Sequence, residues 1–226
     1  MREIILDIET SGLDYKEGHR IIEIGCVELN QKEVGSHYHR YINPLKTLTD
    51  ENIRIHGITN EFLEDKPLFE EIAEEFLNFI EDSSIIAHNA NFDVGFINHE
   101  LEKISKPHIA KDRIVDTVVI ARNRFPGQQV NLDALVKKLK VNSLVDREFH
   151  GALKDAKILT DVYLELQGIN QMGLQLNERK SEDLKLSGEL NLETIVVTKE
   201  ETEAHKEFIK NNIPNSNWAK IDKNYE

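Results

Sequence analysis

Apolar and polar positions along the chain predict strands first and helices later. Three early segments carry the apolar runs or the alternation that is typical of buried or half-buried strands. They cover Glu3 to Ile8, Arg20 to Leu29 and Ser36 to Ile42, and a shorter run covers Ser84 to Ala87. The chain is therefore expected to begin as three adjacent strands, which a fourth joins from further along.

Helical spacing takes over after these strands. Phe69 to Ile80 places its apolar residues three and four positions apart with glutamates between them, which predicts an amphipathic helix. Three further helices are predicted over residues 92–104, 132–140 and 152–166. Asn131 is expected to cap the second of these, and Pro126-Gly127 to end the mixed segment 112–125. This order predicts an α/β domain with a mixed sheet over residues 1–168.

The character of the chain changes beyond Gly168. Asn170 to Asn191 is polar, Thr194 to Thr198 suits a lone strand, and Lys199 to Lys210 suits a small charged helix. We interpret residues 169–226 as a flexible linker followed by a docking tail, because exposed apolar residues on a tail need a partner. Those residues are Ile195, Val196, Val197, Phe208, Ile209 and Trp218.

Composition narrows the class of protein. The chain has 226 residues, 39% of them hydrophobic, which suits one domain with a core and an appendage. It contains neither an apolar run of about 20 residues nor a secretory signal, so we expect a cytoplasmic protein. The lone cysteine, Cys26, excludes an internal disulfide and reads as a core residue. A net charge of −13 predicts weak binding of nucleic acid unless cations and another subunit assist.

Three short segments carry candidate chemistry. Asp7 and Glu9 lie one residue apart on a predicted strand, so their side chains leave the same face. The segment 88–93 joins a strand, a turn and a helix start that presents a carboxylate, and 150–155 places a histidine before a helix and an aspartate in its early turns. Each alone suits a solvated strand end, a helix cap or ordinary surface. Their joint occurrence, in this order, is the improbable feature.

Together these segments resemble the three motifs of the DEDDh 3′→5′ exonuclease family, whose fold is ribonuclease-H-like. Asp7-Ile8-Glu9 fits D-x-E, Asn89 to Asp93 fits N-x-x-F-D, and His150 to Asp155 fits H-x-A-x-x-D. Within the family the chain is most similar to the epsilon type, the proofreading subunits of bacterial DNA polymerase III, over about residues 2–167. That likeness rests on 6–10, 21–25, 55–58, 125–127 and 132–135, besides the third motif.

The resemblance implies five catalytic residues: Asp7, Glu9, Asp93, His150 and Asp155. The four carboxylates would hold two divalent ions, Mg²⁺ or Mn²⁺, with Asp7 bridging them, Glu9 and Asp155 completing the first site, and Asp93 acting directly or through water. His150 would act as general base, since histidine accepts a proton readily near neutral pH. Water would attack the terminal phosphodiester and release a nucleoside 5′-monophosphate.

The resemblance also implies substrate contacts. Glu51 and His56 match positions that contact the terminal nucleotide in the family, and Thr10 to Leu13 would line the same pocket. Taken without the resemblance, Glu51 reads as a solvated loop acid and His56 as a turn residue. The substrate-binding set is expected to comprise Asp7, Glu9, Thr10, Glu51, His56 and Asp155.

Partners and rival functions follow from the same likeness. The expected substrate is a DNA 3′ end, and the expected partners are the alpha subunit of DNA polymerase III through the tail, with a sliding clamp and a small accessory subunit as further candidates. Gln171 to Leu176 resembles a clamp-binding peptide only loosely. One rival is an RNA-trimming or oligoribonucleotide exonuclease with the same chemistry. The other is a non-catalytic scaffold, against which the retention of all five catalytic residue types argues.

Overall fold

A computed structural model describes residues 2–141, 150–168 and 198–212 of the chain. The predicted linker, the segment 171–176 and most of the possible strand at 194–198 lie outside the described residues. The chain divides into two compact units, residues 1–175 and 176–226. In the second unit a helix, α8, runs over Lys199–Asn212, where a charged helix is predicted, and Phe208 is exposed on it. None of the described helices has the length and apolar character needed to span a membrane.

A mixed five-stranded sheet forms the centre of the first unit. Its strands are β1 (Arg2–Thr10), β2 (Ile21–Asn30), β3 (Glu33–Tyr41), β4 (Ser84–Ala87) and β5 (Ile114–Asp116), arranged in the order β3-β2-β1-β4-β5. The hairpins β1–β2 and β2–β3 are antiparallel, whereas β4 and β5 run parallel to β1. The mixed α/β sheet predicted from the sequence is confirmed, with β1 at its middle.

Helices cover both faces of this sheet. They are α1 (Asp50–His56), α2 (Asn60–Leu63), α3 (Phe69–Ile80), α4 (Ala90–Lys103), α5 (Thr117–Arg124), α6 (Leu132–Leu139) and α7 (Ala152–Leu166). Side chains of β1 alternate between the faces: Ile4, Leu6 and Ile8 pack with α3 and α4, whereas Ile5 packs with α7. Burial of each such side chain stabilises the fold by roughly 1.5–3 kcal/mol. Cys26 is fully buried in the first of these clusters.

The helices α1 and α2 are absent from the sequence-based prediction. Both are short, so neither develops a long apolar period, and their ends are fixed by local signals instead. The hydroxyl groups of Thr49 and Thr59 accept hydrogen bonds from the backbone of the first helical turns, and Gly57 ends α1 with a φ of 73°. Ile58 and Leu63 then bury this segment against a small cluster that includes Ile22.

Candidate active site

The first acidic pair lies where β1 leaves the sheet. Asp7 pairs across the β1–β2 ladder with Gly25, and Glu9 pairs with Glu23. Directly paired residues share a face, so all four lie on the face that α7 covers. A register shift between Glu9 and Thr10 then ends the regular pairing. Both carboxylates therefore point under the start of α7.

Gly25 lets α7 approach this pair closely. A Cβ atom at position 25 would lie 2.2 Å from the backbone nitrogen of Leu153 and 2.3 Å from the carbonyl carbon of Ala152. The first turn of α7 therefore rests directly on the strand at the residue opposite Asp7. Any side chain at position 25 would force the helix outward. Asp155 is buried in that first turn, so this contact places it beside the carboxylates of β1.

Asp93 arrives from the opposite face of the sheet. Strand β4 runs parallel to β1, the chain turns at His88 and Asn89, and α4 begins at Ala90, so Asp93 lies in its first turn. Its side chain is only 4% exposed. The carboxylate accepts hydrogen bonds from its own backbone N–H and from that of Ile8, the residue between the two acids of β1. Asp93 is thereby fixed to the strand that carries Asp7.

His150 completes the group from the segment before α7. Its Nδ1 lies 2.9 Å from Oδ2 of Asp155, and its backbone N–H donates to the carbonyl oxygen of Ile55 at 3.2 Å. The imidazole side chain is 49% exposed. Ligand atoms of Glu9, His150 and Asp155 all lie within 4.8 Å of one another, which is close enough for one cation to bind all three. The structure thus brings the five predicted catalytic residues to one place.

Burial and neighbouring carboxylates raise the pKa values of Asp7, Glu9 and Asp93. Burial, followed by the charges of Asp93, Glu9 and Asp155, holds the pKa of Asp7 well above its usual range. Burial and neighbouring carboxylates, Glu23 first among them, raise the pKa of Glu9 to about 8. Burial raises the pKa of Asp93 to about 8 as well, against the opposing effect of its backbone hydrogen bonds. A divalent cation would relieve this repulsion, and oxygen ligands suit one.

The raised values predict how the stability of the metal-free protein depends on pH. Glu9 and Asp93 hold protons up to about pH 8 when folded but release them near pH 4 when unfolded. The folded state therefore binds more protons between these limits, so stability should fall as pH rises from about 4 to 8. Divalent metal competes with these protons, so the rise in melting temperature on adding Mg²⁺ should grow over the same range. Greater stability in EDTA at pH 8 than at pH 5.5 would contradict this.

Glu23 also lies beside these acids, although it is not among the site residues predicted from the sequence. It is 3% exposed, it lies opposite Glu9, and its Oε1 is 2.7 Å from Nε2 of His39 on β3. One sequence signal could have identified it, because an acid inside an otherwise apolar strand is costly unless it is paired or functional.

The predicted substrate contacts occupy different environments. His56 is buried at the end of α1, where its Nδ1 accepts a hydrogen bond from the backbone N–H of Ile58 at 3.0 Å. Within the described residues its Nε2 is buried without a hydrogen-bond partner. Glu51 is exposed in the first turn of α1, about 140° around the helix from His56. Thr10 donates its hydroxyl hydrogen to the carbonyl oxygen of Gly12 at 2.7 Å and so shapes the loop after β1.

The family model and the most similar relatives point to the same protein family. The family model described as "Exonuclease" (RNase_T) matches residues 4–163. A protein of Rickettsia felis named DNA polymerase III subunit epsilon is 47% identical over 220 residues, which cover 92% of this chain and 96% of the relative. The protein of the same name from Haemophilus influenzae is 39% identical over 231 residues, covering 92% of this chain and 90% of the relative.

Solved structures agree with the fold. Exonuclease X in complex with 5′ overhanging duplex DNA superposes with a TM-score of 0.59 at 24% identity, covering 74% of this chain and 92% of that one. The nuclease domain of 3′hExo, a DEDDh family member bound to rAMP, gives 0.64 at 19% identity over the same shares of the two chains. At these sequence identities the structural similarity shows the fold alone, which is the ribonuclease-H-like exonuclease fold. The fold, the full-length relatives and the matched family together show that this chain belongs to the exonuclease family and, within it, to the DNA polymerase III epsilon subunits.

Proposed function

We propose that this chain removes nucleotides from the 3′ end of DNA as the proofreading exonuclease of a bacterial DNA polymerase III. The observation that carries the proposal is the convergence of Glu9, His150 and Asp155. Their ligand atoms lie within 4.8 Å of one another, although Glu9 is near the start of the domain's sequence and the other two are near its end. Relatives named as epsilon subunits, matched along nearly their whole length, support the role in replication. A cytoplasmic location follows from that role.

The acidic residues are suited to hold two divalent ions, Mg²⁺ or Mn²⁺. Their oxygen atoms are hard ligands, and their repulsion gives the site a strong preference for positive charge. Asp7, Glu9, Asp93 and Asp155 are the residues that would hold the ions. When bound, the ions would offset the charge that develops on the phosphodiester and ease the deprotonation of water.

His150 is assigned the transfer of the proton. The carboxylate of Asp155 accepts a hydrogen bond from Nδ1 at 2.9 Å, so a neutral ring carries its hydrogen there and keeps a lone pair on Nε2. Nε2 takes the proton of the attacking water as the water oxygen bonds to phosphorus. The bond from phosphorus to the 3′ oxygen breaks, a nucleoside 5′-monophosphate leaves, and the 3′ oxygen takes a proton from solvent. Asp155 orients the ring for this step.

His56 is assigned the binding of the terminal nucleotide of the substrate. Because Ile58 donates to Nδ1, the hydrogen of the neutral ring is on Nε2, and burial lowers the pKa of His56 and so favours that neutral form. A buried donor without a partner is costly, so a substrate oxygen that accepts from Nε2 would be bound favourably. Glu51 and Thr10 complete the proposed substrate contacts.

Substitution at position 56 tests this assignment. His56→Ala should raise KM for single-stranded DNA by about tenfold, the worth of one good hydrogen bond, while the affinity for Mn²⁺ stays unchanged. His108→Ala is the matched control, because His108 is exposed. Loss of Mn²⁺ affinity with KM unchanged would contradict the role. Glu51→Gln, assayed in parallel, should also raise KM, and an unchanged value would remove Glu51 from the site.

Residues 169–226 are proposed to act as a linker and docking tail. The alpha subunit of the polymerase is the proposed partner of the tail, Gln171 to Leu176 is a candidate clamp contact, and a small accessory subunit is a further candidate partner. Truncation after Gly168 should leave exonuclease activity on single-stranded DNA within about twofold, because the site residues end at Asp155 on α7. Co-elution with the alpha subunit in size-exclusion chromatography should be lost. Retained co-elution would refute the docking role.

Labelled DNA tests the direction of hydrolysis. In the presence of Mg²⁺, a strand labelled at its 5′ end should shorten as a ladder, one nucleotide at a time. A strand labelled at its 3′ end should release the label at once as a mononucleotide. Internal cuts, or early release of the 5′ label, would contradict the proposal, and a non-catalytic scaffold would leave both strands intact.

A further inference from the structure

The turn between β4 and α4 sets the direction in which Asp93 enters the site. Asn89 lies in this turn with φ 71° and ψ 52°, a left-handed backbone conformation that is uncommon for residues other than glycine and that asparagine tolerates better than most. Within residues 2–141, its side chain makes no capping hydrogen bond to α4. Hydrogen bonds from outside the turn can hold this conformation, and with it the position of Asp93 four residues later.

The junction of β5 and α5 provides that support through two adjacent residues. Oδ1 of Asp116 accepts a hydrogen bond from the backbone N–H of Asn89 at 3.2 Å and another from that of Val118 at 2.8 Å. The hydroxyl group of Thr117, which is fully buried, donates to the carbonyl oxygen of Ala87 at 3.1 Å and lies 2.8 Å from Nδ1 of His88. Positions 87, 88 and 89 are thus each held by position 116 or 117.

We propose that Asp116 is a positioning residue for the metal-binding carboxylates, acting through its hydrogen bond to the Asn89 backbone. This inference rests on the proposed function of the site. Asp116 fixes the turn, the turn fixes the first residues of α4, and these fix the Asp93 carboxylate beside Ile8 on β1. The charge of Asp116 also contributes to the raised pKa of Asp93, which places the two carboxylates within electrostatic reach.

A role of Asp116 in capping α5 alone would predict a different effect of its removal on the metal site. If Asp116 served only to cap α5 through Val118, its removal would lower stability and leave the acidic group undisturbed. If it also holds Asn89, its removal frees the turn and Asp93 with it. Loss of such an outer support of a metal site typically lowers metal affinity or activity by about 10- to 100-fold.

Calorimetric titration of the full chain with Mn²⁺ separates these cases. Asp116→Ala should raise the Kd for Mn²⁺ by about tenfold or more and speed hydrogen exchange at the Asn89 amide. Asp116→Asn keeps an acceptor oxygen at the same place and should restore both quantities to within about threefold. Thr117→Val should raise the Kd several-fold through the same turn, which keeps the proposal testable if Asp116→Ala fails to fold.

Asn131→Ala is the matched control. Asn131 caps α6 through an equivalent hydrogen bond from the backbone N–H of Ala134 at 2.8 Å, on a helix that carries no predicted site residue. It should lower the melting temperature as Asp116→Ala does, with wild-type affinity for Mn²⁺. Equal Mn²⁺ affinity in wild type and Asp116→Ala, or equal losses in Asn131→Ala, would overturn the inference. Mn²⁺ binding without DNA hydrolysis by the wild type would overturn the proposed function instead.

Discussion

Replacement of Asp7 by asparagine is expected to abolish hydrolysis while stabilising the metal-free protein. Asp7 is an acid whose pKa is held well above its usual range by burial and by four neighbouring carboxylates, and asparagine has its shape without its charge. Loss of a central metal ligand should lower kcat at least about a thousandfold, because several kcal/mol of charge stabilisation convert at 1.36 kcal/mol per factor of ten. Removal of the repulsion should raise the melting temperature in EDTA by about 2–4 °C per kcal/mol, most visibly at high pH.

Two measurements on the same samples test this pair of effects. Exonuclease rates in Mg²⁺ give the loss of activity, and thermal melts in EDTA give the gain in stability. Asp112→Asn serves as the control, since this acid is exposed and its replacement should change neither quantity. If Asp7→Asn kept substantial activity, or if it destabilised the metal-free protein, the centre would not be a repulsive acidic group that binds cations.

Replacement of His150 by alanine is expected to lower kcat by about 10²–10⁴-fold, the usual contribution of a general base, with the affinity for Mn²⁺ nearly unchanged. Two functions are open to this histidine, because its ligand atoms lie close to those of Glu9 and Asp155. The hydrogen bond to Asp155 favours the proton-transfer role, since it directs the lone pair on Nε2 away from that carboxylate.

Metal titration distinguishes the two functions of His150. If it were chiefly a metal ligand, His150→Ala would lose Mn²⁺ affinity in proportion to its loss of activity. His108→Ala should match the wild type in both assays and serves as the control. Near-wild-type hydrolysis with unchanged metal binding would show that His150 has neither function.

The sequence predicted the main features of the fold, and its resemblance to the DEDDh motifs pointed to the acids that the structure brings together. The period of two along a strand puts Asp7 and Glu9 on one face, and the matched motifs put Asp93, His150 and Asp155 at or just before the starts of predicted helices. What it could not identify depends on tertiary pairing. Asp116 follows Asn89 by 27 positions, and only the parallel pairing of β4 with β5 brings the two together.

Two further omissions have local causes. Glu23 lies in an apolar run in which a single acid does not alter the strand prediction, so its place beside Glu9 follows only from the β1–β2 register. His56 reads as a turn residue because α1 is too short to show a period, yet packing of the following Ile58 into the cluster with Ile22 and Leu63 buries the ring. Short capped helices are fixed by such contacts more than by their own pattern.

The acidic character of the chain bears on how DNA reaches this site. With a net charge of −13, the protein lacks the excess of basic residues that usually gives sequence-independent affinity for nucleic acid. Bound cations would reverse the sign of the charge at the centre only. An exonuclease of this composition is therefore expected to bind free DNA weakly and to depend on its polymerase partner for delivery of the 3′ end.

The most direct test is the rate at which the purified full chain shortens the 3′ end of a 5′-labelled DNA primer carrying a terminal mismatch on its template. Parallel reactions contain an RNA strand of matching sequence, EDTA in place of Mg²⁺, or the Asp7→Asn variant. We predict stepwise shortening of the DNA in Mg²⁺, slower shortening of the RNA, and no shortening with EDTA or with Asp7→Asn. Shortening that persists in EDTA or in Asp7→Asn, or that is faster on RNA than on DNA, would contradict a metal-dependent proofreading exonuclease centred on Asp7.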